Sequence, residues 1–231
     1  MTVDFHSHIL PGIDDGPKDV ETSLAMLKSM KSQGVEVVAA TPHFYPHLQP
    51  PEDFLVKRQD SLNRLAPYLS DDLPAIILGT EVHIERGVHN LDLSGLTLGS
   101  TGLILVELPY LYQSWVLDEV YNLSIDFGLT PVFAHLDRYL DLYSREAIQE
   151  ILDFDDKIIQ INHEALFHRP IRKRVLNWIL GGIPVIFGSD SHNIDTRPPQ
   201  NKKAASVVRS KLGEKWLNGY EKYSEELIGL K

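Results

Sequence analysis

What most constrains this chain is a rhythm: seven short apolar runs, most separated from the next by a segment of helical periodicity. The runs are Thr2–His6, Val35–Ala40, Pro74–Leu78, Leu103–Val106, Thr130–Ala134, Lys157–Ile161 and Ile183–Phe187. They are too short for buried helices and rich in branched residues, so they read as strands. Between them, Asp19 caps a helix to about Gln33, with Val20, Leu24, Leu27 and Met30 on one face and Gly34 beyond it. Pro50-Pro51-Glu52-Asp53 opens a second helix with Phe54, Leu55, Leu62, Leu65 and Leu69 on its face. Trp115–Phe127, Ser144 to Asp153, Pro170–Leu180 and a tail after Pro199 supply the rest. Phe44–Pro51 reads as a loop and His83–Thr101 as irregular. Strands alternating with helices pair in parallel through right-handed crossovers. The expectation is an α/β chain, a (β/α)7 TIM-like barrel over residues 1–231 as one domain, without repeats or linkers. Active sites of such barrels occupy the carboxyl ends of the strands.

Polar residues recur at those ends. The first strand ends at His6-Ser-His8, and side chains two apart on a strand share a face. The second ends at His43, the third at Glu81, the fourth at Glu107, the fifth at His135 and the seventh at Asp190 and His192. Asp14 and Asp15 sit in the first loop, and only the sixth strand, with Asn162-His163, departs from the pattern. A single His or Glu at a strand end is more often a loop cap or hydrogen-bond partner, and His47, His83, His89 and His168 are read so. For the whole set, gathering carboxylates and imidazoles at one rim without cations costs repulsion and desolvation that divalent metals remove. Nitrogen and oxygen donors suit Mn, Fe, Zn, Co or Mg, and the carboxylate content leans toward Mn or Fe. Clustered cations polarise phosphoryl oxygens and acidify bound water. Arg138 and Arg197 each lie just beyond a candidate ligand, and guanidinium forks match phosphate oxygens.

Composition narrows the chemistry. No cysteine is present, which excludes thiolate metal sites and a cysteine nucleophile. A net charge of −10 and no evident basic track argue against a nucleic-acid partner. No apolar run approaches the roughly 20 residues that span a bilayer, and no signal peptide is apparent. The expected location is the cytoplasm, without membrane insertion. Of the rim aromatics Phe44, Tyr45, Tyr110, Tyr112, Trp115 and Tyr139, none is singled out as a binding residue.

Six segments, taken in order, resemble the polymerase and histidinol phosphatase (PHP) superfamily, and in detail its bacterial protein-tyrosine phosphatases of the CpsB/YwqE type. They are Asp4–Gly16 (DFHSHILPGIDDG), Ala40–His43, Gly79–Glu81, Val106–Pro109, Ala134–Tyr139 and Gly188–Asn193 with Arg197-Pro-Pro199. His-x-x-Arg-Tyr and Ser-Asp-x-His-Asn followed by Arg-Pro-Pro carry the most weight. The resemblance implies a distorted seven-stranded barrel with three divalent cations, Mn foremost, at the carboxyl ends of the strands. It implies one site from His6, His8, Glu81 and Asp190, and a second from Glu81, Glu107 and His135. A third would use Asp15, chosen over Asp14 by motif position, with His43 and His192. Arg138 and Arg197 would be catalytic, holding phosphate while metal-activated water attacks phosphotyrosine. The implied partner is a tyrosine-phosphorylated protein, the tail of a bacterial tyrosine kinase controlling capsule or exopolysaccharide synthesis. His163 matches no motif of the family. Two other readings use the same ligands: a small-molecule phosphomonoesterase such as histidinol-phosphate phosphatase, and a non-catalytic regulator that binds phosphoprotein.

Overall fold

The computed structural model describes residues 1–229. Its strand pairs are all parallel. Strands β1 (Val3–Ser7), β2 (Val37–Ala40) and β4 (Ala75–Leu78) form one sheet in that order. Strands β3 (His43–Phe44), β5 (Glu81–His83), β6 (Leu103–Glu107), β7 (Thr130–Phe133), β8 (Ile158–Asn162) and β9 (Val185–Gly188) form another.

Nine strands fill seven positions. β2 passes through Thr41-Pro42 into β3, and β4 through Gly79-Thr80 into β5, so the second and third positions each break once and change sheets. Pro42 has no N–H to give a ladder, which helps end β2 there. β3 and β5 are additions to the sequence reading, which placed loop or irregular chain beside them. The ring closes between β9 and β1, where Asp190 N–H donates to His6 O at 2.7 Å and His8 N–H donates to Ser191 O at 3.0 Å. The fold is a distorted parallel α/β barrel.

Helix ends follow local chemistry. Asp19 caps α1 (Val20–Ser32) by accepting from Thr22 N–H at 2.8 Å. Pro51 opens α2 (Pro51–Leu65), and α3 (Trp115–Phe127) has the bounds its sequence predicts. Ser144 Oγ accepts from Ala147 N–H at 3.2 Å to start α4 (Arg145–Asp153). After α5 (Arg169–Leu180), the tail is two helices, α6 (Asn201–Leu212) and α7 (Glu214–Leu227). Gly213 divides them at φ +87°, a conformation that favours glycine.

The barrel floor is apolar. Val3, Phe5, Val37, Leu105, Val132, Ile158 and Ile186 pack together there, with Tyr223 and Leu227 of α7 against them. Each such side chain contributes about 1.5–3 kcal/mol on burial. Along β8, Ile158 belongs to this floor, while Gln160 and Asn162, two and four residues on, reach the polar layer above. β1 achieves the same change by a bulge. Its register against β2 slips by one residue between Asp4 and Ser7, so Phe5 joins the floor and His6 and His8 enter the polar layer.

Candidate metal centre

Glu81 stands at the middle of the polar layer, fully buried. Its Oε2 lies 3.1 Å from His6 Nε2, 3.3 Å from His8 Nε2 and 3.0 Å from His43 Nδ1. Its Oε1 lies 2.6 Å from His135 Nε2. Residues from four strand positions thus meet at one carboxylate. Asp190 Oδ1 is 3.8 Å from His6 Nε2 and 3.5 Å from His8 Nε2. Three groups of donor atoms are compact enough to hold cations: His6, His8 and Glu81; His8, Asp15, His43 and His192; and His43, Glu81 and Glu107.

Neighbouring polar groups aim these rings. The backbone N–H of His135 donates to Gln160 Oε1 at 2.7 Å, which fixes that atom as an acceptor. His6 Nδ1, 2.9 Å from the same oxygen, therefore carries the proton, and a neutral His6 presents the Nε2 lone pair to the cluster. Gln160 Nε2 then donates to Asn162 Oδ1 at 3.0 Å, and Asn162 Nδ2 donates to Asp190 Oδ2 at 2.9 Å. His8 Nδ1 donates to Asp14 Oδ2 at 2.6 Å, and His192 Nδ1 donates to the carbonyl of Asp190 at 3.0 Å. Both leave Nε2 free. This is the arrangement by which outer groups set the tautomer of ligating histidines.

The donor set fits divalent cations. His43 Nδ1 and His192 Nε2 lie 3.0 Å and 3.2 Å from the carboxylates of Glu81 and Asp15, yet neither contact has hydrogen-bond geometry. Both nitrogens are buried without a partner, as is His135 Nδ1. Such atoms cost free energy unless something else occupies their lone pairs. Burial alone opposes charging His6, His8 and His43, but the surrounding Glu81, Asp190 and Asp14 carboxylates outweigh it and raise all three pKa values. The same imidazoles overcome burial to hold Glu81 and Asp190 well below the usual carboxylate range. Protons here stand in for cationic charge that metals would supply.

The backbone is strained at two of these positions. His135 has φ +33° and Asp190 φ +50°, left-handed values that side-chain-bearing residues avoid. Beside them, a Cβ on Gly188 would lie 2.5 Å from His6 Cβ and 2.9 Å from His6 N. Only glycine lets β9 approach β1 closely enough to bring Asp190 to His6 and His8.

Arg138 and Arg197 flank the cluster. Arg138 Nη2 donates to Asp190 Oδ2, and Arg197 Nη2 donates to Asp190 Oδ1 at 2.8 Å. Arg197 Nη1 also comes within 3.9 Å of Asp15 Oδ2. Their side chains are 42% and 34% exposed, so each guanidinium is partly open to solvent beside the cluster.

All eleven residues selected from sequence gather at this rim. Asp14 is consumed by His8, by the N–H of His43 at 3.1 Å and by the N–H of Gly16 at 2.9 Å, whereas Asp15 faces His43 and His192. The compact groups differ from the expected grouping at four residues. His8 joins Asp15, His43 and His192, and His43 also sits with Glu81 and Glu107. Asp190 and His135 fall outside the three groups, with His135 approaching Glu81 on the oxygen away from His43. His163 lies buried beneath the sixth strand's end with both ring nitrogens unpartnered. Sequence reasoning missed Gln160, whose only signal is an amide inside an apolar run. His83, read as a hydrogen-bond partner, is one: its Nδ1 lies 3.0 Å from Glu107 Oε2.

The family model described as "Capsular polysaccharide synthesis, CpsB/CapC" matches residues 2–221. The tyrosine-protein phosphatase CpsB of Streptococcus agalactiae serotype III is 28% identical over 228 residues, covering 94% of this chain and 93% of that protein. Tyrosine-protein phosphatase YwqE of Bacillus subtilis is 28% identical over 220 residues, covering 91% and 85%. A structure from work on YwqE of Bacillus subtilis and CpsB of Streptococcus pneumoniae, described as "unique metal-dependent tyrosine phosphatases", superposes with TM-score 0.82. It is 24% identical and covers 99% of this chain and 95% of its own. The lactonase Lmo2620 of Listeria monocytogenes shares the fold at TM-score 0.54 and 10% identity. Among the described residues, no helix is long and apolar enough to cross a membrane.

Proposed function

The chain belongs to this CpsB/CapC family, and from that premise we propose that it is a metal-dependent protein-tyrosine phosphatase. One observation supports the reading above others: Glu81 is shared by imidazoles from separate strand positions while two arginines flank the same pocket. His6, His8, Asp15, His43, Glu81, Glu107, His135, Asp190 and His192 are the proposed ligands for three divalent cations, with Mn the first candidate. Bound there, such cations supply Lewis acidity toward a phosphoryl oxygen and lower the pKa of water.

The chain's own groups do the rest. Arg138 and Arg197 bind the phosphate's non-bridging oxygens with the donors that Asp190 leaves free, and follow the charge that grows on them. Gln160 and Asp14 hold His6 and His8 in one tautomer. Tyr45, whose ring lies 5.4 Å from both the His43 and His83 rings, offers a face for the substrate's aryl group. The proposed substrate is a tyrosine-phosphorylated protein such as a bacterial tyrosine kinase tail, and the proposed unit is a single domain.

The test is turnover of a phosphotyrosine peptide and of histidinol phosphate after chelation and restoration of Mn, Fe, Zn, Co or Mg. Restored hydrolysis selective for the peptide is expected. Metal-independent turnover, or selectivity for histidinol phosphate, refutes the assignment.

A further inference from the structure

The charge of this chain is unevenly distributed. Residues 165–212 hold nine Lys and Arg against two Asp, within a chain of net charge −10. α5 (RPIRKRVLNWIL) and α6 (NKKAASVVRSKL) each carry four cations and no acid. The sequence reading found no basic track because these helices are separate in the chain. Folding brings them together along a groove of about 770 Å³ whose lining includes Arg172, Lys202, Lys203 and Lys211.

Those four cations are held ready but uncompensated. Among the described residues none takes part in an ion pair. Arg172 spends one N–H on Leu166 O at 2.8 Å, and Lys203 Nζ stands 3.7 Å over the Phe167 ring. In a chain this acidic, local like-charge crowding is retained at a cost in repulsion. The groove starts at Pro199, which Gln33 Nε2 holds by its carbonyl at 2.9 Å, two residues past Arg197.

We propose that this groove holds an anionic stretch of the substrate polypeptide next to its phosphotyrosine, carrying carboxylates or further phosphates. The inference rests on the phosphatase reading for the identity of the group at the mouth. Backbone reach sets the register. Pro199 lies at most about 7 Å from Arg197 and Lys202 at most about 18 Å, so an extended peptide enters the groove within about five residues of the phosphotyrosine. The groove's chemistry favours a peptide over other polyanions. It is concave and has no large exposed apolar side chain to enter a lipid surface. It is not lined by aromatic faces on which bases stack.

The test uses the metal-loaded full chain and two phosphotyrosine peptides that differ only in Glu-rich or Gln-rich flanks. The acidic peptide is expected to bind about tenfold more tightly by fluorescence anisotropy and to show a correspondingly lower KM. That advantage fades with added salt. Lys202→Glu/Lys211→Glu abolishes it with para-nitrophenyl phosphate turnover unchanged, and Lys202→Gln/Lys211→Gln reduces it in part. Equal affinity of the parent for both peptides overturns the proposal, as does an advantage that survives in the Glu variant. Groove-dependent binding to phosphatidylglycerol vesicles or single-stranded DNA in preference to the acidic peptide also overturns it. Anisotropy is read on non-hydrolysable phosphonate versions of both peptides and so reports binding without turnover; tight acidic-peptide binding by a chain that cleaves no phosphotyrosine refutes only the assigned activity.

Discussion

Replacing Gln160 by Leu tests whether the metal site depends on groups that never touch a cation. Gln160 is fully buried and its Oε1 accepts from His6 Nδ1 and from the backbone of His135. Leucine keeps the volume and removes the one acceptor that both donors share. Each stranded donor costs about 1–3 kcal/mol, so the loss is about 2–6 kcal/mol. At about 2.1 cal/mol/K of unfolding entropy per residue, a chain of this length shifts Tm by about 2 °C per kcal/mol. The expected fall is therefore about 4–12 °C by scanning calorimetry. His6 also loses the bond that fixes its tautomer, which lowers metal affinity by about 10–100-fold. Titration of the apo-protein with Mn against a chelating dye measures this directly, and saturating metal should restore most of the turnover. A Gln160→Leu protein with parental Tm and parental Mn affinity would show that the orientation argument is wrong.

Arg138→Ala and Arg197→Ala are expected to lower phosphatase turnover by about 10²–10³ with metal content unchanged by elemental analysis; full activity in both sinks the phosphate-clamp assignment. Metal binding should release protons near neutral pH, because His6, His8 and His43 have raised pKa values in the metal-free cluster. Calorimetric heats that do not vary with buffer ionisation enthalpy would contradict this. Burial depresses the pKa of His163 to about 4, so on acidification the unfolded chain takes up this proton first. Its contribution to stability is full above the ordinary value near 6.5 and is lost as pH falls toward about 4. His163→Leu should flatten the denaturation profile across that window, and an unchanged slope would refute the assignment.

The fold was legible where local chemistry is decisive. Asp19 and Ser144 cap helices in the structure as their sequence positions suggest, and α3 keeps its predicted bounds. The rim histidines and carboxylates could be read because strand ends in a parallel barrel share one face. The breaks at Thr41-Pro42 and Gly79-Thr80 were not legible, since β3 and β5 have only two and three residues and too little periodicity to register. The bulge in β1 was hidden for a related reason: register is a property of a pair of strands. Gln160 carries no motif at all, and only the fold shows that it lies beneath His6.

The broken second and third positions also divide the barrel's cohesion. The amides of Val37–Ala40 and Ala75–Leu78 belong to a ladder seated on the lower part of the molecule. His43 and Glu81 hang instead from two- and three-residue ladders above the break. Little backbone bonding ties these donors to the base, so much of the work of keeping them in place falls to the cations they are proposed to share. Hydrogen exchange should therefore find this upper tier loosened by chelation while the lower one stays closed.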